Sequence, residues 1–403
     1  MGKLPPGPKE PSALQTVEWI VRPTALLRRA QARYGEPFTL NTAWSDAPLV
    51  LFSDPQEIKR TYAQPPDVLQ GGEAAGFLEP FAGRNSILIL HGEEHARQRK
   101  LVMPAFHGEA LARWTDTMAT VAHEELDTWT PGAPVKALPR MRALTLEVIQ
   151  RVIFGSRDPE LRDALREALD LTGSTGNLIA MSLVQKDIGP YKRFLQATSR
   201  IDELVYDRID RAGQGTAIID LLKHSGATRA ELRDQLVTLL AAGHETTATA
   251  LAWALERLAR HPFPLNNNEH LDAFIKEVLR TRPVLSITAR KTLQPYTLGD
   301  YTLPAGVYVA PCLYLAHRKS GSTFDPTRFL DGAPEPFSYV PFGGGNRRCL
   351  GAAFATLEMR EVLRAVAQRF ALRPTARAGE RMRRRSVTLA PARGAEIVPD
   401  ALA

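Results

Sequence analysis

The sequence lacks the features that mark several classes of protein. It has only two cysteines in 403 residues, Cys312 and Cys349, too few for a disulfide framework. No apolar run approaches the roughly 18 residues needed to span a membrane, and the opening stretch MGKLPPGPKEPS lacks the apolar core of a secretory signal. We therefore expect a cytoplasmic protein without a membrane anchor, in a reducing compartment, with Cys312 as a small buried residue.

The chain also lacks internal repeats and low-complexity linkers. Hydrophobic residues make up 44% of it, which indicates a globular protein, and we expect a single domain over 1–403 and a monomer. The net charge is +7, with a basic run at 381–385. This run predicts either a surface for an acidic partner or a solvated face. No aromatic residues alternate with the basic ones as a nucleic-acid surface would require, so no nucleic-acid partner is expected.

Helical patterns dominate the sequence. Thr228 and Glu231 form a capping-box pattern before leucines at helical spacing, and His261-Pro262 ends the pattern, which predicts one long helix over 228–260. Strand signals are fewer: a short buried strand at 48–52, a hairpin at 296–306 with Gly299-Asp300 as its turn, and a strand at 307–311 that continues the hairpin. The predicted fold is mainly α with a smaller β-rich region, mainly 35–60 and 284–330, and an α-rich remainder.

The middle of the long helix carries polar residues that a buried helix does not normally accept. The stretch Ala242-Gly243-His244-Glu245-Thr246-Thr247 contains a glycine, an acid and two threonines. Glycine costs about 1 kcal/mol relative to alanine there, and threonine can bond to the carbonyl four residues earlier and bend the helix. We expect Gly243 to let a flat group approach, and Glu245 and Thr246 to deliver protons. An exposed polar stripe is the alternative.

The second unusual stretch is PFGGGNRRCLG, residues 341–351. A cysteine thiolate is a good soft ligand for iron. Glycines at 343–345 would let the backbone fold tightly against a cofactor, and Arg347 and Arg348 would favour an anion nearby. A helix predicted at 352–370 would aim its N-terminal amides at the Cys349 sulfur. Taken alone, Cys349 would favour the interpretation as a buried structural cysteine.

The loop pattern has a known counterpart. Phe342, Gly345, Arg347, Cys349 and Gly351 match F-x-x-G-x-R-x-C-x-G at every fixed position. This resembles the haem-binding loop of the cytochrome P450 family.

Three further motifs of that family follow in the right order. Residues 242–247 resemble the oxygen-activation motif, Glu277-Val-Leu-Arg280 resembles the E-x-x-R motif, and 324–329 resembles the segment that adds a second arginine to the glutamate. The resemblance covers essentially the whole chain. It implies the cytochrome P450 fold, with the long central helix over a haem b (iron protoporphyrin IX).

The resemblance assigns a role to each matching residue. Cys349 would be the axial ligand of the haem iron and so the metal-binding residue. Glu277, Arg280 and Arg328 would form a buried structural network; a surface ion pair is the alternative. The remaining residues would contact the cofactor, several of them holding its propionates: His95, Arg99, Arg290, Arg347, Phe342, Gly351 and Ala242.

The resemblance also implies an activity. The chain would be a haem-thiolate monooxygenase that uses O2 and electrons from a separate ferredoxin or flavodoxin with its reductase, since it contains no flavin or iron–sulfur region. The substrate would be an apolar small molecule, such as a terpenoid, steroid or fatty acid. The walls of its pocket are expected to be Phe77, Leu78, Ile87, Ile89, Leu239, Val284 and Ile287.

Two other functions have to be weighed. A peroxygenase would use hydrogen peroxide directly, and a haem protein that senses or carries a ligand would not turn over. The Glu245-Thr246 pair argues against both. One departure from the family concerns 262–270 and 318–324, which look short: either these loops are trimmed, or residues are missing from a renumbered chain.

Overall fold

Helices form most of the molecule. The computed structural model describes residues 4–43, 45, 47–174, 176–177, 189–213, 215–332 and 334–402. Short 3₁₀ turns occur at Glu73–Leu78, Met103–Phe106, Pro326–Phe329 and Gly345–Arg347. The α-helices, in chain order, are α1 Ser12–Val21, α2 Pro23–Tyr34, α3 Pro55–Ala63, α4 Glu79–Ala82, α5 Gly92–Val102, α6 Gly108–Ala112, α7 Thr115–Leu126, α8 Ala137–Phe154, α9 Pro159–Gly173, α10 Gly189–Arg211, α11 Ile218–Lys223, α12 Arg229–Arg260, α13 Asn268–Thr281, α14 Leu313–Ala316 and α15 Ala352–Arg369.

The described strands are short: β1 Phe38–Leu40, β2 Leu49–Phe52, β3 Leu69–Gln70, β4 Val135–Lys136, β5 Arg290–Thr292, β6 Tyr296–Leu298, β7 Tyr301–Leu303, β8 Tyr308–Pro311, β9 Phe370–Pro374, β10 Met382–Arg385, β11 Thr388–Pro391 and β12 Glu396–Ala401. They form four small sheets. A five-stranded sheet has the order β1-β2-β8-β5-β3, in which only β2 and β8 run parallel, and β6 and β7 form a hairpin. Another sheet has the order β4-β12-β9, and β10 and β11 form a second hairpin.

The long helix α12 begins and ends as the sequence predicts. The Thr228 hydroxyl accepts from the Glu231 amide, and the Glu231 side chain accepts from the Thr228 amide, so the capping box is formed. The helix runs for 32 residues, and its leucines enter the largest apolar core together with α7, α8 and α15. The mainly α fold and the central helix are therefore confirmed.

Two expectations about the β structure need correction. The hairpin at 296–303 turns at Gly299, with φ of 55°, and β2 lies at 49–52, both as predicted. However, β8 does not extend the hairpin; it pairs in parallel with β2. The chain also returns to β structure after α15, in β9 to β12, whereas the sequence assigned this region to the α-rich part.

The segments that look short in the sequence are ordinary connections in the structure. Residues 261–267 join α12 to α13 without an intervening helix. Residues 317–325 link α14 to the 3₁₀ turn at Pro326–Phe329. Cys312 is fully buried, as predicted. Among the described helices, none combines the length and the apolar character of a membrane span.

Candidate cofactor site

The loop that carries Cys349 is packed tightly against α3. Gly343 and Gly345 have φ of 66° and 65°, a conformation that favours glycine. A Cβ on Gly344 would lie 2.4 Å from Cδ2 of Tyr62, and one on Gly345 would lie 2.2 Å from the Tyr62 carbonyl oxygen. Close approach to Tyr62, to its ring at Gly344 and to its carbonyl oxygen at Gly345, therefore accounts for these two glycines. The approach of the loop to a cofactor stays a prediction.

The loop presents Cys349 on the wall of a cavity. Its amide donates to the Phe342 carbonyl at 2.9 Å, and its side chain is solvent-exposed in a cavity of about 510 Å³ that Phe342 and Arg99 also line. Desolvation by surrounding atoms raises the pKa of the thiol, while the Gly351 amide at the start of α15 and the charge of Arg99 oppose that rise. The Cys349 side chain is therefore accessible from the cavity. Because the pKa of its thiol is raised, a metal that binds the sulfur would have to displace the thiol proton.

Three arginines gather around a buried histidine beside this loop. Arg99 and His95 lie on α5, Arg290 begins β5, and Arg347 belongs to the cysteine loop. Burial, then the charges of Arg347, Arg99 and Arg290, lower the pKa of His95 to about 4. Burial and the neighbouring Arg290 and Arg99 charges lower the pKa of Arg347 to about 10. Burial is the main cause of both shifts, and the neighbouring positive charges add to it.

This three-arginine cluster (Arg99, Arg290 and Arg347) has no acidic partner among the described residues. Arg290 donates to Asn346 Oδ1 at 2.9 Å and to the Gly344 carbonyl at 3.0 Å, and Arg347 donates to the Ile87 and Leu90 carbonyls. These contacts hold the side chains but leave their charge uncompensated. One buried arginine and two half-buried ones, without a counter-ion among the described residues, fit an anionic ligand such as a pair of carboxylates.

The long helix opens at one point. From 232 to 259 nearly every residue of α12 is buried, and the exceptions are 241–243 and Thr246. Ala242 and Thr246 lie one turn apart, and the Thr246 hydroxyl donates to the Ala242 carbonyl at 2.6 Å, which is the back-bond that the sequence predicts. A Cβ on Gly243 would lie 3.1 Å from Cδ1 of Ile149, so glycine lets α8 approach α12, and the approach of a flat group at this position stays a prediction.

Glu245 faces away from this opening and is held by two arginines. Its carboxylate accepts from Arg142 Nε on α8 and from Arg385 Nε on β10, both at 2.9 Å. Asp170 on α9 accepts from the same two guanidinium groups at 2.8 Å. The structure therefore does not bring Glu245 and Thr246 together. It also shows that the basic run at 381–385 is not simply a solvated face, because Arg385 completes this four-residue ring (Arg142, Asp170, Glu245 and Arg385).

Glu277 and Arg280 on α13 form a fully buried ion pair. Two bonds of 2.7 Å join them, and the Asp325 amide donates to Glu277 at 2.8 Å. Arg328 Nε lies 3.3 Å from Glu277 but makes no hydrogen bond to it. The burial of Glu277 and Arg280 excludes the alternative interpretation, in which they would form an ion pair on the surface. Arg280 also donates to three carbonyl oxygens, at 2.6–2.9 Å, those of His317, Gly321 and Thr323.

His317 connects this pair to the cysteine loop, a role that the sequence did not reveal. Its carbonyl accepts from Arg280, and its Nε2 accepts from the Val340 amide at 3.0 Å, two residues before Phe342. Burial, then the charges of Arg318 and Arg280, lower the pKa of His317 to about 3. The imidazole is therefore neutral and can accept this bond. No motif marks His317, and its partners lie 23 and 37 residues away.

The seven predicted pocket residues are not gathered into one described cavity. None of them lines the Cys349 cavity. Phe77 is 63% exposed, Ile87 and Leu239 are buried, and the others are partly buried: Leu78, Ile89, Val284 and Ile287. Val284 packs on the largest core and Ile287 on a smaller one. Their part in a substrate pocket stays a prediction.

Together these features define a class of site. An accessible cysteine, three uncompensated arginines and an opening in a long buried helix fit an anionic cofactor ligated by one sulfur. The described residues contain no group of three or more histidine, cysteine and acidic side chains that could hold a metal ion by themselves. A metal at Cys349 would therefore need most of its ligands from a cofactor, as in a porphyrin.

Comparison with known proteins identifies the family. The cytochrome P450 family model matches residues 5–263 and 265–397. Cytochrome P450 135B1 of Mycobacterium tuberculosis is 36% identical, with 98% of this chain and 91% of that protein covered, and cytochrome P450 138 of Mycobacterium bovis is 34% identical, with 98% and 96% covered. The chain belongs to the cytochrome P450 family and is a haem-thiolate monooxygenase.

Solved structures agree on the fold. Retinoic acid-bound cyanobacterial CYP120A1 superposes with a TM-score of 0.86 over 100% of both chains at 20% identity, and CYP175A1 of Thermus thermophilus with 0.79 over 94% and 95% at 27% identity. The alignment with the 135B1 protein spans 429 positions, more than the 403 residues here, so that relative has residues that this chain lacks. The family match breaks at position 264, within the 261–267 connection.

Proposed function

We propose that this monooxygenase hydroxylates an apolar small molecule, such as a terpenoid, steroid or fatty acid, with O2 and electrons from a separate ferredoxin or flavodoxin. The observation that carries the proposal is the placement of Cys349 beside the three-arginine cluster. A neutral or cationic cofactor would leave three crowded guanidinium groups without a counter-charge. The two propionates of haem b, iron protoporphyrin IX, supply that charge.

In this proposal Cys349 binds the iron through its sulfur, and Arg99, Arg290 and Arg347 bind the propionates, with His95 packed among them. Bound haem would supply the activation of O2 and the transfer of one oxygen atom to the substrate. Phe342 and Gly351 hold the cysteine in place, since they provide the carbonyl that accepts from its amide and the amide that favours its ionised form.

Thr246 would position a proton donor at the opening of α12. Its own hydroxyl proton is committed to the Ala242 carbonyl, so its oxygen offers lone pairs to a water molecule or a substrate hydroxyl. Each carboxylate oxygen of Glu245 already accepts a hydrogen bond from an arginine. Glu245 would therefore take part in proton delivery only if at least one of these two bonds breaks. Ala242, one turn from Thr246, would contact the cofactor.

The charge around Cys349 supports an acidic electron carrier. Arg348 lines the cavity that contains the sulfur and forms no ion pair with a described residue, and no acidic side chain among the described residues lines that cavity. Opposite charge on a carrier would speed its encounter with this face. We therefore expect electron transfer to slow with increasing ionic strength, as it does for charge-steered pairs.

The test compares two threonine variants in the haem-loaded enzyme. Thr246→Ala should uncouple electron use from product, because the acceptor at the opening is lost. Thr249→Ala is the matched control, because Thr249 lies on the same helix and its buried hydroxyl has no hydrogen-bond partner in the described part of the chain. Product per electron and peroxide release are measured for both. Equal coupling in the two variants would contradict the role given to Thr246.

The substrate class needs a separate measurement. Candidate terpenoids, steroids and fatty acids are titrated into the ferric protein, and the Soret band reports displacement of an iron-bound water. An apolar compound that shifts the band and is hydroxylated supports the proposal. Shifts produced only by polar compounds would contradict it.

A further inference from the structure

A second cavity lies between α8, α9 and α12. Its volume is about 460 Å³, within the roughly 300–1,000 Å³ typical of small-molecule sites. It shares no lining residue with the Cys349 cavity. The residues that line it are Pro139, Arg142, Ala143, Leu146, Arg162, Arg166, Asp170 and His244.

The spacing of these residues makes two unlike walls. On α8 the lining positions 139, 142, 143 and 146 share one helix face, and all but Arg142 are apolar; we call Pro139, Ala143 and Leu146 the apolar wall. On α9 the positions 162, 166 and 170 lie one turn apart and are all charged. The cavity therefore sets a short apolar surface against a charged one.

Positive charge is in excess on the charged side. Arg166 forms no ion pair or hydrogen bond with any described residue, and Arg162 bonds only to its exposed neighbour Asp163, at 3.1 Å. Asp170 is already shared between Arg142 and Arg385 in the four-residue ring. Its charge is therefore not available to balance Arg166.

His244 is the residue of α12 that lines this cavity. It is 1% exposed, and burial, with the charges of Arg142, Arg385 and Arg166, lowers its pKa to about 3. The Thr145 hydroxyl lies 2.9 Å from Nδ1, and no described residue bonds to Nε2. The imidazole is therefore neutral, adds no charge of its own, and leaves one ring nitrogen free for a ligand.

We propose that this cavity binds a small organic carboxylate. The carboxylate would bond to Arg166 and Arg142, and a short aliphatic body would cover the apolar wall. The guanidinium of Arg142 already bonds to carboxylates in this structure, which shows that its orientation suits them. The apolar wall favours an organic acid over an inorganic oxyanion, because a bare anion would leave that surface uncovered.

Binding of a carboxylate in this cavity would affect the hydrogen bonds of Glu245 through Arg142. An incoming carboxylate competes with Asp170 for Arg142, and the same guanidinium holds Glu245 through Nε. Binding would thus redistribute the bonds that keep Glu245 in the four-residue ring. This consequence rests on the proposed function, whereas the binding itself does not.

The binding is tested by calorimetry on the haem-loaded protein with sodium acetate, butanoate and hexanoate, at ionic strength matched with sodium chloride. Affinity should rise along the series by up to about fourfold per added methylene. Arg166→Gln should lower the affinity for hexanoate about tenfold, whereas Arg33→Gln, an equal charge change at an exposed site on α2, should leave it unchanged. Asp170→Asn should raise the affinity, because it removes the competing carboxylate.

Three results would overturn the proposal. They are absence of binding to the unmodified protein, equal affinity in Arg166→Gln, and phosphate binding as tight as hexanoate. A hexanoate molecule in the haem pocket would shift the Soret band and persist in Arg166→Gln, so it also counts against this site. Because calorimetry does not depend on turnover, failure here is distinguishable from failure of the proposed hydroxylation.

Discussion

Replacing Arg280 by methionine should weaken the support that the cysteine loop receives through His317. Glu277 would keep its charge in a site with no exposure, and three carbonyls would lose their donor. Breaking a buried pair costs about 3–5 kcal/mol, and an unsatisfied buried acceptor costs about 1–3 kcal/mol. Because such terms do not add fully, we expect a loss of at least about 4 kcal/mol, a large part of the roughly 5–15 kcal/mol of a typical domain.

Two further variants isolate the cause. Arg360→Met breaks a pair with Asp272 whose side chains are 31% and 26% exposed, so it should cost only about 0–1 kcal/mol. Glu277→Gln combined with Arg280→Met removes the stranded charge but keeps an oxygen for the Asp325 amide. The double variant should therefore recover stability relative to Arg280→Met alone.

The assay is urea unfolding followed by far-ultraviolet circular dichroism, with haem retention read from the absorbance of the same samples. Arg280→Met should lower the midpoint far more than Arg360→Met, and should lose haem before the helices melt. Two results would refute the reasoning: equal midpoints for the two single variants, or a double variant less stable than Arg280→Met.

Three other predictions follow from contacts of this kind. His244 and His317 have pKa values of about 3 in the folded protein, against about 6.5 in the unfolded chain. As the pH drops below about 6.5 the unfolded chain therefore binds protons first, and the free energy of unfolding should fall by up to about 1.4 kcal/mol per pH unit per histidine. Urea midpoints at pH 7, 6 and 5 should show this fall, and a flat profile would contradict it. Gly344→Ala should lower the free energy of unfolding by about 1–3 kcal/mol, because the added methyl meets the Tyr62 ring. Gly213→Ala, where a Cβ would meet no atom of a described residue within 4 Å, should change it little, and thermal midpoints of the two variants test this. Cys349→Ser should abolish the thiolate-type spectrum of the reduced, carbon monoxide-treated protein, and its persistence would exclude sulfur as the ligand.

Local signals explain the parts of the fold that could be predicted. The Thr228 cap, the Gly299 turn and the helix after Cys349 each depend on a few neighbouring residues, and all three are formed. The cysteine loop was recognisable because its chemistry needs fixed spacing. These elements are determined over distances that a short stretch of sequence contains.

The features that escaped prediction depend on distant partners. A Cβ on Gly243 would crowd Ile149, which is 94 positions away, and the loop glycines face Tyr62, which is more than 280 positions away in the chain. Glu245 looked free to move protons because nothing near it reveals Arg142 and Arg385. The C-terminal strands were missed for the same reason, since their pairing depends on other short strands more than on their own pattern.

The ring around Glu245 bears on how the chain acquires its structure. Glu245 and Arg142 are 103 residues apart, and Glu245 and Arg385 are 140 apart in the opposite direction. Since translation proceeds from the N-terminus, Arg142 is available as soon as α12 leaves the ribosome, but Arg385 is not. Until the hairpin of β10 and β11 packs against α12, the Glu245 carboxylate has one guanidinium partner instead of two. The middle of α12 can therefore reach its final set of ion pairs only after the C-terminal part of the chain has been synthesised.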